Sequence, residues 1–273
     1  MVTLFIFFNS VFKYIYKAIH YLNKPIYFFQ TLVIGFFLGI LDLKDLHEID
    51  VKIYTKRKHY RSDKHNKAPL FNWEREAIQE YFSKGSRILI IAVGGGREAY
   101  NLFKLGYEVH PYEYNEELRQ FGNDFFLREG MPLTIGDVKR DAFPNTTLTF
   151  DGIIIGWGAY THIKGRDLRI THLKQAYELL NPEGFLMISF WPWSHRYLNL
   201  NRIHKIGNFF SRLSGNNKVE LGDALMPEFC HFYKQEEIEL ELQLSGLKVV
   251  KYSEEEYGHA VAYKPSRKNE AVQ

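Results

Sequence analysis

Cysteine is nearly absent. Cys230 stands alone in 273 residues, so no internal disulfide can form, which fits a reducing cytosol. The scattered histidines never join it at a zinc-like spacing, so no metal is expected. A charge excess is missing as well. The 35 basic and 32 acidic side chains leave a net +3, too little to argue for a nucleic-acid partner. No short-period repeat or low-complexity tract stands out. A basic n-region and a small-residue cleavage site are lacking near the N-terminus, which disfavours a signal peptide. What is abundant is aromatic side chains, at 16%.

The chain changes character near residue 42 and again near residue 70. Residues 1–69 read as an apolar helical segment followed by a basic connector, and residues 70–273 as an α/β domain. Lys13, Lys17, His20 and Lys24 are spaced to form one cationic stripe on a helix whose other faces carry Phe8, Phe12 and Ile15. That pattern suits the surface of a bilayer. The following stretch, PIYFFQTLVIGFFLGIL (25–41), is uncharged, yet at about 1.5 Å per residue it falls short of a ~30 Å hydrocarbon core. Four readings of residues 1–41 stay open: a helical pair that lids the domain, a homodimer contact, a peripheral membrane contact, or a span of a thin bilayer. The run KIYTKRKHYRSDKHNK (52–67) reads as a solvated linker, diluted by nearby acids, rather than a grip on RNA.

From residue 70 onward, strand-like and helix-like segments alternate. NWEREAIQEYF predicts a helix with Asn72 as its N-cap. RILIIAV (87–93) predicts a strand buried on both faces, and REAYNLFKLG a helix ending at Gly106. YEVHPYEY predicts a second strand in which Pro111 is awkward. A helix near 116–129, then strands at 133–137, 150–157 and 185–190, a helix at 166–180 and a closing strand pair complete the pattern. Residues 191–231, rich in aromatics, interrupt it as an insertion. The alternation implies an α/β fold with a mainly parallel sheet wrapped on both faces, its ligand crevice beyond the carboxyl ends of the strands.

Three glycines, Gly94, Gly95 and Gly96, join the first of these strands to the next helix. Such a loop permits positive φ and close approach of a ligand, and the helix N-terminus favours a negative group. Glu113, ending the next strand, has the chemistry to accept bonds from both hydroxyls of a ribose. The pattern therefore indicates a nucleoside-containing ligand. Gly94, Gly96 and Ala99 also fit a dinucleotide fingerprint, so the loop alone leaves the ligand open.

IAVGGGREA resembles motif I of the class I S-adenosylmethionine (SAM)-dependent methyltransferases, with Ala92 in place of the first glycine and Ile90 at the acidic position. GDVKRDAFP resembles the segment in which an acidic residue, here Asp137, meets adenine. FDGIIIG resembles the family's fourth strand, HLKQAYELLNPEGFLMIS the helix, turn and fifth strand, and YKQEEIELELQLSGLKVV the last helix and strand start. The resemblance spans residues 72–263. It implies a Rossmann-like seven-stranded sheet, SAM as cofactor with S-adenosylhomocysteine as product, and a cofactor site at Ala92, Gly94, Gly95, Gly96, Glu113, Asp137, Gly156 and Trp157.

Methyl transfer is an in-line displacement, and a general base is needed only when the acceptor arrives protonated. GWGAYTHI leaves the fourth strand where the methyl group is expected. Trp157 and Tyr160 are candidates to wall the sulfonium or the acceptor, and His162 to take a proton, although capping or packing is the blander role for this histidine. Trp191, Trp193, His195 and Arg196 follow the fifth strand and are candidate acceptor contacts, with packing of the insertion as the alternative. The expectation is a cytoplasmic methyltransferase with a small-molecule acceptor. Two alternatives remain: a non-catalytic SAM-binding scaffold, and a membrane-associated enzyme with a lipid-like acceptor.

Overall fold

The computed structural model describes residues 25–193 and 198–266. These fall into two compact units, 25–42 with 198–224, and 43–193 with 225–266. Packing thus divides the described chain at 42/43, ahead of the basic connector, rather than at 69/70.

In the larger unit the run RILII, apolar from Ile88 onward, forms β1 (Arg87–Ile91), flanked in parallel by β2 (Glu108–Glu113) and β4 (Phe150–Ile155). Side chains alternate between the two faces of a strand, and both faces here are covered. Ile88 and Ile90 enter a core with α4 (Asn72–Tyr81), α5 (Arg97–Lys104) and α6 (Glu116–Arg128). Leu89 and Ile91 enter a second core with α7 (Arg166–Leu179) and α9 (Gln235–Leu244). With β3 (Gly136–Asp137), β5 (Leu180–Pro192), β8 (Lys248–Ser253) and β9 (Gly258–Tyr263), the sheet runs in the order β3-β2-β1-β4-β5-β9-β8. The first five of these strands are parallel, whereas β9 lies antiparallel between β5 and β8. β5 continues far enough for Trp191 and Pro192 to pair with β7 (Phe229–Tyr233), a strand inside the segment read as an insertion.

Local chemistry explains the element ends. Gly106, in the left-handed region, closes α5: its amide and that of Tyr107 reach back to Phe103 and Leu102 carbonyls, a Schellman ending. Pro111 is accommodated because the third strand is shorter than expected. β3 pairs only with Tyr112 and Glu113, so Pro111 has a strand partner on one side alone, Ile90 of β1. Asn72 is not the N-cap of α4 but its first helical residue. Phe71 precedes it, and the Glu74 carboxylate accepts the Phe71 amide at 2.7 Å.

Residues 52–67 are not a solvated linker. They continue α2 (Leu43–Lys56) into a 3-10 turn (Lys58–Arg61) and α3 (Asp63–Asn66), with Asn66 fully buried. Three of its basic residues pair with acids from far along the chain: Arg57 with Glu228, Lys67 with Glu129, and Arg61 with Glu117.

The smaller unit joins two segments that the sequence separates. Residues 25–40 form α1, which packs on α8 (Leu200–Ser214) of the insertion; β6 (Asp223–Leu225) follows. Glycine is required at the helix crossing. A Cβ on Gly35 would lie 2.7 Å from Ile206 Cγ2, and one on Gly39 would lie 2.5 Å from the Gly207 carbonyl. Ser214 and Asn216 then donate to the last carbonyls of α1, Gly39 and Ile40. Among the described residues, no helix is long and apolar enough to cross a membrane. The stripe at Lys13–Lys24 lies outside the described residues.

The face under α7 and α9 contains a fully buried ion pair. Arg169 Nη2 donates to Glu241 Oε1 at 2.6 Å, and the Tyr160 hydroxyl donates to Glu241 Oε2 at 2.6 Å. Removing the carboxylate strands a guanidinium and a hydroxyl in an apolar core. Glu241→Leu is therefore expected to lower unfolding free energy by about 3–5 kcal/mol in urea titrations. Surface pairs such as Lys52–Glu48 are screened by solvent and should contribute little beside this buried pair.

Candidate active site

A cleft of about 940 Å³, open to solvent, lies where β1, β2 and β4 end. Ala92, Gly94 and Gly95 line it from the loop after β1, Glu113 from the end of β2, and Trp157 and His162 from the segment after β4. Five of the eight expected cofactor residues therefore meet: Ala92, Gly94, Gly95, Glu113 and Trp157.

Glu113 organises this wall. Its Oε2 accepts the Gly94 amide at 2.7 Å and its Oε1 accepts the Asn115 amide at 2.9 Å, while Asn115 caps α6 through the Leu118 amide. The carboxyl is buried, and burial pushes its pKa up to about 7, against the pull of the backbone amides. Gly94 is left-handed at φ 61°, and a Cβ there would meet nothing within 4 Å, since that side is open cleft. Ala92 is left-handed too, at φ 58°, a conformation that costs a non-glycine residue about 1 kcal/mol.

Three expected cofactor residues do not line the cleft. Gly96 serves as the left-handed N-cap of α5, with Phe126 packed 2.6 Å from where its Cβ would be. Gly156 lets β4 approach the glycine loop: its amide donates to Ile91 O, and a Cβ would sit 2.2 Å from Ala92 O. Asp137 turns outward, its side chain 74% exposed and ion-paired with Arg119, and the next residues, Val138 to Asp141, line the cleft instead.

The two catalytic candidates part company. Tyr160 is fully buried, stacked on Tyr233 and bonded to Glu241, so it has no access to the cleft and its role is in the core. His162 does line the cleft. Its Nδ1 sits 2.6 Å from the Phe229 carbonyl, which can only accept, so the proton is on Nδ1. Nε2 then carries the lone pair and receives the Tyr54 hydroxyl at 3.0 Å. Burial raises the Tyr54 pKa, keeping that hydroxyl protonated. Of the acceptor candidates, Trp191 stands edge-on to His162 at 6.2 Å without lining the cleft, and Trp193 lies under the Lys234 ammonium. His195 and Arg196 lie outside the described residues.

The opposite wall was not anticipated. It comes from the basic connector and its helix α2: Asp50, Tyr54, Tyr60 and His65 all line the cleft. Asp50 accepts the Tyr114 hydroxyl at 3.0 Å and pairs with Arg140 at 2.7 Å, and Arg57 reaches both oxygens of Glu228 at 2.6 and 2.8 Å. The Tyr60 carbonyl presses against Gly95, 2.3 Å from where a Cβ would be. Gly95 is thus needed for contact with this wall rather than for a ligand. Arg97, buried beneath the loop, is held by Glu74 and Glu98. Glu98 is therefore an ion-pair partner as well as a first-turn acid. His172 lines the far end, and burial lowers its pKa to about 4, leaving it neutral near pH 7. The paired tyrosines of the connector were the signal available in the sequence; Asp50 and His172 offered none.

No family model matches this sequence, and no curated protein matches it. Solved structures do. A SAM-dependent methyltransferase from Clostridium acetobutylicum superposes with a TM-score of 0.55 at 14% identity, over 81% of this chain and 99% of that one. Another from Methanosarcina mazei gives 0.54 at 19% identity, over 72% and 99%. The sugar N-methyltransferase KedS8 from Streptoalloteichus gives 0.52 at 12% identity, over 71% and 86%. The antiparallel β9 between β5 and β8 departs from the 3-2-1-4-5-6 order of dinucleotide-binding sheets. The chain has the class I SAM-dependent methyltransferase fold. In the methyltransferase fold of this chain, the wall facing the glycine loop is built by residues preceding β1.

Two measurements probe this geometry. Gly95→Ala must displace the Tyr60 backbone, so it should cost about 1–3 kcal/mol in stability, whereas Gly215→Ala, with open space around it, should cost only the strain of its positive φ. Glu113 sets a pH dependence. Its folded pKa lies above the 4.5 of an ordinary glutamate, so its contribution is full below pH 4.5 and is lost as the pH rises to about 7. Over that window wild-type stability should fall relative to Glu113→Gln by up to roughly 3 kcal/mol. Parallel denaturant titrations with no difference in slope would remove Glu113 as the titrating group.

Proposed function

We propose that the chain is a SAM-dependent methyltransferase acting on a small organic acceptor through a hydroxyl or amine. The observation that carries this reading is the pairing of the Gly94 amide with the Glu113 carboxylate on the wall of the cleft, within this fold. The residues fit the cofactor. Gly94 leaves open space toward the cleft, and the Glu113 oxygens keep lone-pair capacity beyond the amides they accept, enough for a ribose hydroxyl. The acid that this family usually carries in β1 is replaced by Ile90, which is buried in the core, while Glu113 supplies a carboxylate to the loop at Gly94. Gly94 and Glu113 would hold the ribose end, with Val138 and Lys139 flanking the base.

When bound, SAM supplies a sulfonium methyl as the electrophile. The protein's own part is chiefly positioning, worth roughly 7–11 kcal/mol of the barrier at best. Trp157, at the cleft wall beside this locus, offers a π face to a cationic sulfur. His162 Nε2 is the proton acceptor for a hydroxyl or ammonium, reached through or in place of the Tyr54 hydroxyl. The Phe229 carbonyl holds the ring in the tautomer this needs and favours the imidazolium once formed. One neighbour, KedS8, is by its name a sugar N-methyltransferase, which supports a small acceptor.

Calorimetric titration with SAM, S-adenosylhomocysteine and NADPH tests the reading. Both adenosyl compounds should bind with dissociation constants on the order of micromolar, and Glu113→Ala should weaken them about 100-fold or more. His162→Ala should keep SAM affinity while lowering turnover about 10²–10⁴-fold in a screen of hydroxyl and amine acceptors read by S-adenosylhomocysteine release. Binding of NADPH alone would replace this reading with a dinucleotide one. SAM binding without turnover on any acceptor would leave a scaffold.

A further inference from the structure

The smaller unit exposes a surface that the cleft does not use. On α1, Phe29, Leu32 and Phe36 follow one another at helical spacing and all face solvent, Phe29 at 67%. On α8, Arg202, Lys205, Phe209, Arg212 and Leu213 share one exposed face, and Leu213 is 71% exposed. The two faces are continuous. Phe36 packs edge-on to Phe210 at 4.8 Å, and Phe210 to Phe209 at 5.1 Å. Soluble surfaces seldom leave so many large apolar side chains together without a partner.

Charge identifies the partner. α8 contains no acidic residue, and none occurs anywhere in residues 1–41, where Lys13, Lys17 and Lys24 are the only charged side chains. From this interleaving of cations with aromatic and aliphatic side chains we infer that the α1–α8 unit docks on the surface of an anionic lipid bilayer. Lipid phosphates receive Arg202, Lys205 and Arg212 while the rings and Leu213 enter the acyl boundary. A second copy of this chain fits less well, because a two-fold contact through this face would oppose its cations to themselves. The docking is interfacial: among the described residues no helix is long and apolar enough to cross a membrane. It is independent of the methyl-transfer reading.

Vesicle flotation of the full chain tests the inference. Vesicles of phosphatidylcholine with about 30% phosphatidylglycerol should carry the protein, pure phosphatidylcholine vesicles should carry much less, and about 0.5 M salt should release most of it. The triple variant Arg202→Glu, Lys205→Glu, Arg212→Glu and the double variant Phe209→Ser, Leu213→Ser should each bind about tenfold more weakly or worse. Their circular dichroism and SAM titration, run on the same samples, should match wild type, which separates loss of docking from misfolding and from failure of the cofactor assignment. Protein that stays with the dense fraction beside anionic vesicles, or variants that float as well as wild type, would overturn it. So would a dimer in sedimentation velocity that Phe209→Ser dissociates, which would assign the face to a second copy.

Discussion

The buried carboxylate of Glu113 is the constraint on which the rest of the cleft depends. It accepts bonds from both the glycine loop and Asn115, the residue that caps α6, so it ties the ends of β1 and β2 to a common point. A carboxylate needs donors when water is withdrawn, and the loop amides need acceptors; each satisfies the other. The glycine loop keeps its left-handed turns at Ala92 and Gly94 because this bond holds them. Arg97 underneath, clamped by Glu74 and Glu98, makes the floor rigid in the same way.

Facing this floor is a wall of a different kind. α2 and the two short helices after it are secured almost entirely by polar contacts: Asp50 with Arg140, Tyr54 with His162, and Arg57 with Glu228. The floor rests on two apolar cores, and the wall rests on charges and hydroxyls. That difference gathers the directional groups on one side of the cleft, and it leaves the core residues to set the spacing.

The fold was largely legible in the sequence because its signals are local. Alternating apolar runs, Gly106 after α5, and the glycine triplet each report a nearby backbone requirement. The cleft was legible only where a motif marked it, at Gly94, Gly95, Glu113 and Trp157. Tyr160 was misread because helical and strand periodicity give direction, not depth. One residue, Thr161, separates it from His162, yet it faces the Arg169–Glu241 pair and not the cleft. Asp137 was misread because β3 is only two residues long, and the chain turns its side chain to Arg119 before reaching the site. The connector was misread because a basic, polar run looks the same whether water or carboxylates neutralise it. The acids that do so, Glu117, Glu129 and Glu228, lie far along the chain.

Because α2 and the connector precede β1, the boundary suggested by motif order and the boundary of the site are different places in the gene. A fragment beginning at residue 70 would keep the strands of the sheet, the Glu113 latch and the residues of both cores. It would also have half a pocket, with His162 Nε2 and Arg140 opened to solvent and Glu228 buried without its guanidinium. For this chain, trimming to the recognisable domain is an active-site mutation.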